Sequence, residues 1–216
     1  MLQRTLAVGP FQANCHLVAC PKSGELAIID PGEEPAQILE AVMALEKAAG
    51  LPLKPKFFLH THAHLDHISA AKELLKSFSA KVALHAADEP IWRGLRDQAR
   101  AFGLEYGDPA SIDLSLEDGQ ELSLGALKIT VIHTPGHSPG GVCFLVTEEG
   151  AKSVLYTGDT LFLGSIGRAD LWGGDMDQLV RSIQEKLLVL DPATIVKCGH
   201  GPDTTIGRER LENPYL

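Results

Sequence analysis

Hydrophobic positions along this chain follow two periods in alternation. "CHLVAC" (residues 15–20) and "ELAIID" (25–30) are apolar runs separated by the turn residues "PKSG", which predicts two strands and a tight connection. "MLQRTLAVGPFQANC" reads as a strand ahead of them. In "EPAQILEAVMALEKAAG" the period is helical, with Ile38, Val42 and Leu45 on one face and Gly50 as the stop. "KPKFFLH" is a buried strand, "DHISAAKELLKSF" a helix, "KVALH" a strand and "EPIWRGLRDQARAF" a second amphipathic helix. The Gly-, Asp- and Pro-rich stretch at 103–110 is the expected seam between halves. Beyond it, "QELSLGALKITVIH", "GVCFLVTEE" and "AKSVLYTGD" predict a β-rich region. Asp175 is placed to cap the helix "MDQLVRSIQEKLLVL", "ATIVKCGH" is a last strand, and a short helix follows Thr204. Each half thus runs through strands, helices and strands. Two sheets packed face to face with helices outside suit that rhythm.

Bulk properties narrow the field. A chain of 216 residues with 44% hydrophobic and 22% charged residues suits one globular domain, or two small halves sharing a core, with a sizeable apolar interior. A formal net charge of −9 without a basic patch argues against a nucleic-acid partner. No run approaches the roughly 18 apolar residues of a membrane span, and the N-terminus has no signal-peptide pattern. Cys15, Cys20, Cys143 and Cys198 show no CxxC spacing and are expected as reduced thiols. A cytoplasmic protein with no membrane partner is the expectation.

The chemistry concentrates in "FLHTHAHLDHIS", which places His60, His62, His64, Asp66 and His67 within eight positions. His62, His64 and Asp66 are spaced i, i+2, i+4. That spacing shares a face in an extended segment and not on a helix. The segment is therefore read as a strand end running into a loop, with Ala63 and Leu65 on the other side and His67 at a helix start. Neutral imidazoles beside a carboxylate suit a divalent transition metal, whereas protonated ones would repel each other. His60 lies within the strand, where a supporting role fits better. Three further strands end at a polar residue beside glycine: His137 in "VIHTPGHSPG", Asp159 in "VLYTGDT" and His200 in "IVKCGHGP". Seven candidate ligands are enough for two metal ions. His16, His85 and His133 lack such loops and are read as structural.

With "HAHLDH" followed by His137, Asp159 and His200 in order, the chain resembles the metallo-β-lactamase superfamily over essentially its whole length. The resemblance implies an α/β fold, a four-layer αββα sandwich, as one domain over residues 1–216. It implies that His62, His64 and His137 hold one metal, that Asp66, His67 and His200 hold a second, and that Asp159 bridges them. Asp30 in "IIDPG" matches a family aspartate near the site, more often structural than ligating. "TGDTLFLGSIGRAD" and "GHGPDTTIGRERLENPYL" resemble short, single-domain glyoxalase II-like hydrolases. Full-length glyoxalase II carries a C-terminal helical domain that helps bind glutathione; with 16 residues after His200, that domain is not expected here.

The implied activity is hydrolysis of a thioester such as S-lactoylglutathione, a small-molecule glutathione conjugate, by hydroxide at a dinuclear site. Asp66 would orient the hydroxide as well as bind metal. Arg168 and Asp170 would either meet the substrate or pair to shape the groove. The donors suit two divalent ions, zinc first, with iron and manganese also accommodated. The alternative is a persulfide dioxygenase. Those enzymes share the "GR.D" loop and use one iron, which His62, His137 and Asp159 could hold here.

Overall fold

Side chains alternate across a strand, and that alternation decides the layering. The computed structural model describes residues 1–216. β1 (Leu2–Val8), β2 (Ala13–Ala19), β3 (Glu25–Ile29), β4 (Lys54–Leu59), β5 (Lys81–His85) and β6 (Leu114–Leu116) form one sheet in that order. β1 to β3 pair antiparallel and β3 to β6 parallel. β7 (Glu121–Leu124), β8 (Leu127–His133), β9 (Val142–Thr147) and β10 (Val154–Gly158) form an antiparallel run in a second sheet. β11 (Leu161–Phe162) and β12 (Ser165–Ile166) make a small separate hairpin. β13 (Ile195–Cys198) then pairs parallel to β10, and β14 (Thr204–Thr205) completes the edge.

The apolar side chains sort into three cores. Leu17, Leu26, Ile28 and Phe58 point outward from the first sheet onto Ile38 and Val42 of α1 (Pro35–Ala49). Their strand neighbours Val18, Ala27, Ile29 and Leu59 point inward and meet Ile129, Val131, Phe144 and Tyr156 of the second sheet. Cys143, Leu155 and Val196 leave the far side of that sheet to pack on Leu179 and Ile183, at α6 (Met176–Ser182) and the π-turn after it. The result is helix, sheet, sheet, helix, the expected αββα sandwich. All four cysteines are buried and free. No helix is long and apolar enough to cross a membrane.

Several local expectations need correction. The stretch 66–78 is not one helix but two single turns, α2 (Leu65–Ile68) and α3 (Ala71–Leu74). The Ala70 N–H donates to the carbonyls of Pro31 and Gly32 instead of continuing the ladder. The helix expected over 89–102 divides at Gly94 into α4 (Glu89–Arg93) and α5 (Leu95–Ala101). Residues 103–110 are not the seam. They connect α5 to β6, an unforeseen strand of the first sheet, and are held there by Trp92 Nε1 donating to the Ala110 carbonyl at 2.9 Å. The chain passes between sheets at 117–120. Asp175 does cap α6, accepting from the Gln178 N–H at 2.9 Å, and α7 (Ile206–Glu212) follows Thr204.

Strand direction sets the position of the site. β8 and β10 both run opposite to β9, so they share a direction, and β13 is parallel to β10. The loops after β8, β10 and β13 therefore leave one edge of the second sheet. The loop after β4 meets that edge from the first sheet, where the Val142 N–H donates to the Thr61 carbonyl at 2.8 Å.

Candidate metal centre

The histidine-rich segment leaves β4, bends at Thr61 and is extended at His64, whose φ of −71° and ψ of 148° precede α2. Asp66 and His67 thus sit in a helical turn. The expected extended run to Asp66 ends two residues early. Ala63 and Leu65 face the outer core of the first sheet, as the alternation predicts. Two side chains unmarked by any sequence motif clasp this segment. Asp88, fully buried, accepts from the Ala63 N–H at 2.9 Å and, across the sheets, from Ser138 Oγ at 2.8 Å and the Gly140 N–H at 2.5 Å. Gln98 accepts from the Leu65 N–H at 3.0 Å and donates to the Ala63 carbonyl at 3.0 Å.

All seven candidate ligands meet at this edge. One donor atom from each of His62, His64 and His137 lies within 4.8 Å of the others, and so do donors from Asp66, His67 and His200. Asp159 reaches both sets: its oxygens lie 3.4 Å from His67 Nε2, 3.5 Å from His200 Nε2 and 3.8 Å from His137 Nε2. Asp66 Oδ2 is 3.3 Å from His200 Nε2 and 3.6 Å from His67 Nε2. Gly199 makes the packing possible, because a Cβ there would fall 2.2 Å from Asp159 Oδ1.

The surrounding hydrogen bonds determine which ring nitrogen is free. His137 Nδ1 donates to the Arg168 carbonyl at 2.7 Å, and His200 Nδ1 to the Phe11 carbonyl at 3.1 Å. His67 Nδ1 donates to Asp30 Oδ2 at 3.1 Å. Asp30 also accepts from the Thr61 N–H at 2.7 Å and from Thr61 Oγ1 at 2.6 Å, and that hydroxyl accepts from His62 Nδ1 at 3.0 Å. Four Nε2 lone pairs are thereby turned inward, as outer hydrogen bonds do for metal-binding histidines. Asp30 stands behind the donors as an orienting group. His64 differs, since its Nδ1 stands 2.9 Å from His137 Nε2. Buried His62 Nε2, His67 Nε2 and Asp159 Oδ1 have no hydrogen-bond partner. Buried polar atoms are seldom left so, and inward lone pairs beside a shared carboxylate are the donor set a divalent cation satisfies.

Electrostatics divide the two sets. Burial, reinforced by neighbouring histidines, holds His62 well below the usual imidazole range and His64 at about 3, so both are neutral. Burial acts the same way on His67 and His200 but is outweighed. Asp66 and Asp159 draw positive charge there, raising His67 to about 9 and His200 to about 10, so that each Nε2 carries a proton which a bound metal ion would displace. Burial raises the Asp159 carboxyl, yet His67 and His200 bring it below the ordinary carboxylate range. The second set is thus a site that attracts a cation.

A cleft of ≈200 Å³ opens above these donors, with Asp66, Asp159 and His200 in its floor and Phe11, Phe102, Leu171 and Trp172 among its walls. Arg168 lines it too, and its guanidinium is bound bidentately by Asp170 at 2.6 and 2.7 Å. His60 is fully buried against Trp92, its Nδ1 3.1 Å from the His67 carbonyl, and belongs to neither donor set. His16 packs on Tyr156, and His85 stacks on His133.

A family model described as the metallo-beta-lactamase superfamily matches residues 8–200. The chain is 38% identical to the hydroxyacylglutathione hydrolase GloC of Haemophilus influenzae, over 98% of this chain and 96% of that protein. It is similar to the solved structure of TTHA1623 in a di-iron-bound form, with 41% identity, a TM-score of 0.84 and coverage of 99% and 100%. It is also similar to BLEG-1, a B3 metallo-beta-lactamase, with 38% identity, a TM-score of 0.85 and 99% of each chain covered.

Proposed function

The chain belongs to the metallo-beta-lactamase superfamily, and from that premise we propose that it is a metal-dependent thioester hydrolase of the hydroxyacylglutathione hydrolase kind. One observation carries the proposal: two donor sets share Asp159 beneath a single open cleft. His62, His64 and His137 would hold one ion and Asp66, His67 and His200 the other, with Asp159 between them. When bound, two divalent ions lower the pKa of water toward neutrality and polarise the carbonyl.

The chain's own groups do the rest. Asp30, Thr61 and the carbonyls of Phe11 and Arg168 keep the rings turned inward. Asp66, in the floor of the cleft, orients the attacking water and holds its proton on Oδ1, leaving Oδ2 to the donor set. The water oxygen bonds to the carbonyl carbon, the C–S bond breaks, and its electron pair leaves on sulfur. The thiolate then takes up the proton, so thioester and water become carboxylic acid and thiol. The H. influenzae relative supports this substrate class.

Elemental analysis of the purified protein, combined with hydrolysis of S-lactoylglutathione, tests the reading. About two metals per chain are expected at saturation, with turnover abolished by chelation and restored by zinc, iron or manganese. No more than one metal in excess ion, with oxygen uptake on glutathione persulfide, would establish the dioxygenase instead. The BLEG-1 likeness motivates a parallel assay with a chromogenic β-lactam. Faster turnover of that compound than of any thioester would make the chain a lactamase.

A further inference from the structure

The cleft over the donors is not the whole of the concave surface. A second groove of ≈290 Å³ lies beside it, lined by Pro90, Ile91 and Gly94 of the α4–α5 junction and by Asp97, Gln98 and Trp172. Gln98 and Trp172 line both spaces. Gln98 is pinned by its three hydrogen bonds to the Leu65 N–H and the carbonyls of Ala63 and Ile91. Trp172 is 45% exposed although large and apolar, and its ring lies 6.2 Å from that of His64. An exposed indole standing between a reactive centre and an apolar groove is a recognition surface.

The charges around these two spaces select among ligands. Arg168 is the one lysine or arginine lining either space, and Asp170 already holds its guanidinium with two hydrogen bonds. The groove's own charge is the carboxylate of Asp97, 82% exposed and 3.2 Å from Arg100. Outside the metal centre itself, no unpaired lysine or arginine lines either space. A lactoyl group is small, so the arm of a thioester that must extend beyond the ≈200 Å³ cleft is its thiol.

We propose that the groove is a second subsite of the same centre, walled by Trp172, and that it takes the thiol arm of thioesters whose thiol is uncharged and partly apolar rather than an anionic peptide thiol. The inference rests on the thioester hydrolysis proposed above but departs from it on the thiol, ranking glutathione thioesters below those of a neutral thiol. Trp172 is the specificity-determining contact, through its ring face. Asp97, like Arg168, is closed in an ion pair, so a carboxylate on the ligand finds no partner here.

Two measurements test it on the metal-loaded protein. The first titrates the non-hydrolysable thioethers S-benzyl-N-acetylcysteamine, which is neutral, and S-benzylglutathione, which is net anionic, against the fluorescence of Trp172. Trp172→Phe serves as the blank. The neutral ether is expected to bind tighter by about fivefold, the scale of an exposed charge interaction, and Asp97→Lys to narrow that ratio severalfold. The second compares kcat/KM for the lactoyl thioesters of the same two thiols, where the same ordering is expected. Equal or tighter binding of the glutathione ether overturns the inference, as does an unchanged ratio in Asp97→Lys. Absence of all thioester turnover with the binding preference intact would reject the hydrolase reading alone.

Discussion

Replacing Asp30 by asparagine separates charge from shape at the group that orients His67. Asp30 has φ of 50°, a left-handed conformation that asparagine tolerates, so the backbone should persist. The carbonyl of the substituted side chain could still accept from the Thr61 N–H, but its amide would face the Thr61 hydroxyl and His67 Nδ1, donor against donor. Hydrogen bonds to a charged group contribute about 1.5–3 kcal/mol each, and with partial rescue we expect a loss of about 2–4 kcal/mol. For a chain of this size that corresponds to a Tm lowered by roughly 5–15 °C. The larger consequence is for metal. Without its acceptor, His67 is free to move its proton to Nε2, the atom aimed at Asp66 and Asp159. Loss of such a partner weakens metal binding by about 10–100-fold. The first donor set, linked to Asp30 only through Thr61, should suffer less. Calorimetric melting and competitive chelator titration would measure both. A folded Asp30→Asn protein that binds its second equivalent as tightly as wild type would refute the orienting role.

Three further outcomes are expected. His200→Ala should retain about one of two metals, read by elemental analysis, because His62, His64 and His137 do not depend on it. Gly199→Ala should displace Asp159 and lose metal. Gly201→Ala, where φ is 70° but no atom lies within 4 Å of the added carbon, should keep metal and cost about 1 kcal/mol, read from denaturant midpoints. Burial, only partly offset by Asp30, holds His16 at about 4, below its unfolded value of about 6.5. The unfolded chain therefore binds the extra proton first. Stability is intact above pH 6.5 and falls as pH drops toward 4, by up to about 3 kcal/mol. Urea midpoints measured across that range should decline less steeply for His16→Asn.

The seven donors could be read from the sequence because each follows an apolar strand directly or sits in one dense motif. A strand's end is marked locally by its last apolar residue and by the glycine beside it. The layers were legible because β2 and β3 are continuous apolar runs, the mark of strands covered on both faces. Asp88 and Gln98 were not legible. Their partners lie 25 and 35 residues away or on the other sheet, and "ADEP" reads locally as an ordinary helix start. The break between α2 and α3 was hidden because the competing acceptors are carbonyls of Pro31 and Gly32, remote in sequence from Ala70. The loop at 103–110 looked like a seam because its composition reports only that it is irregular. What it spans is decided by Trp92 and Arg96, which fasten it to the first half.

The carbonyl of Phe11 that holds His200 belongs to a wider joint. The Asn14 side chain donates to the carbonyls of Cys198 and Gly201 at 2.9 and 3.0 Å, and its N–H to that of Gly199 at 2.7 Å. These bonds span more than 180 residues of sequence, which makes them late and slow to form. The two donor sets consequently mature on different schedules during vectorial synthesis. His62, His64 and His137 are all translated long before His200, so the first set is complete while the second still lacks a member. An ion captured early would stabilise the joined sheets and hold open the berth into which the His200 loop must later dock. On the two-metal reading, the order of loading would follow the order of the chain, and a second ion would be the final latch on a fold whose distant parts have already met.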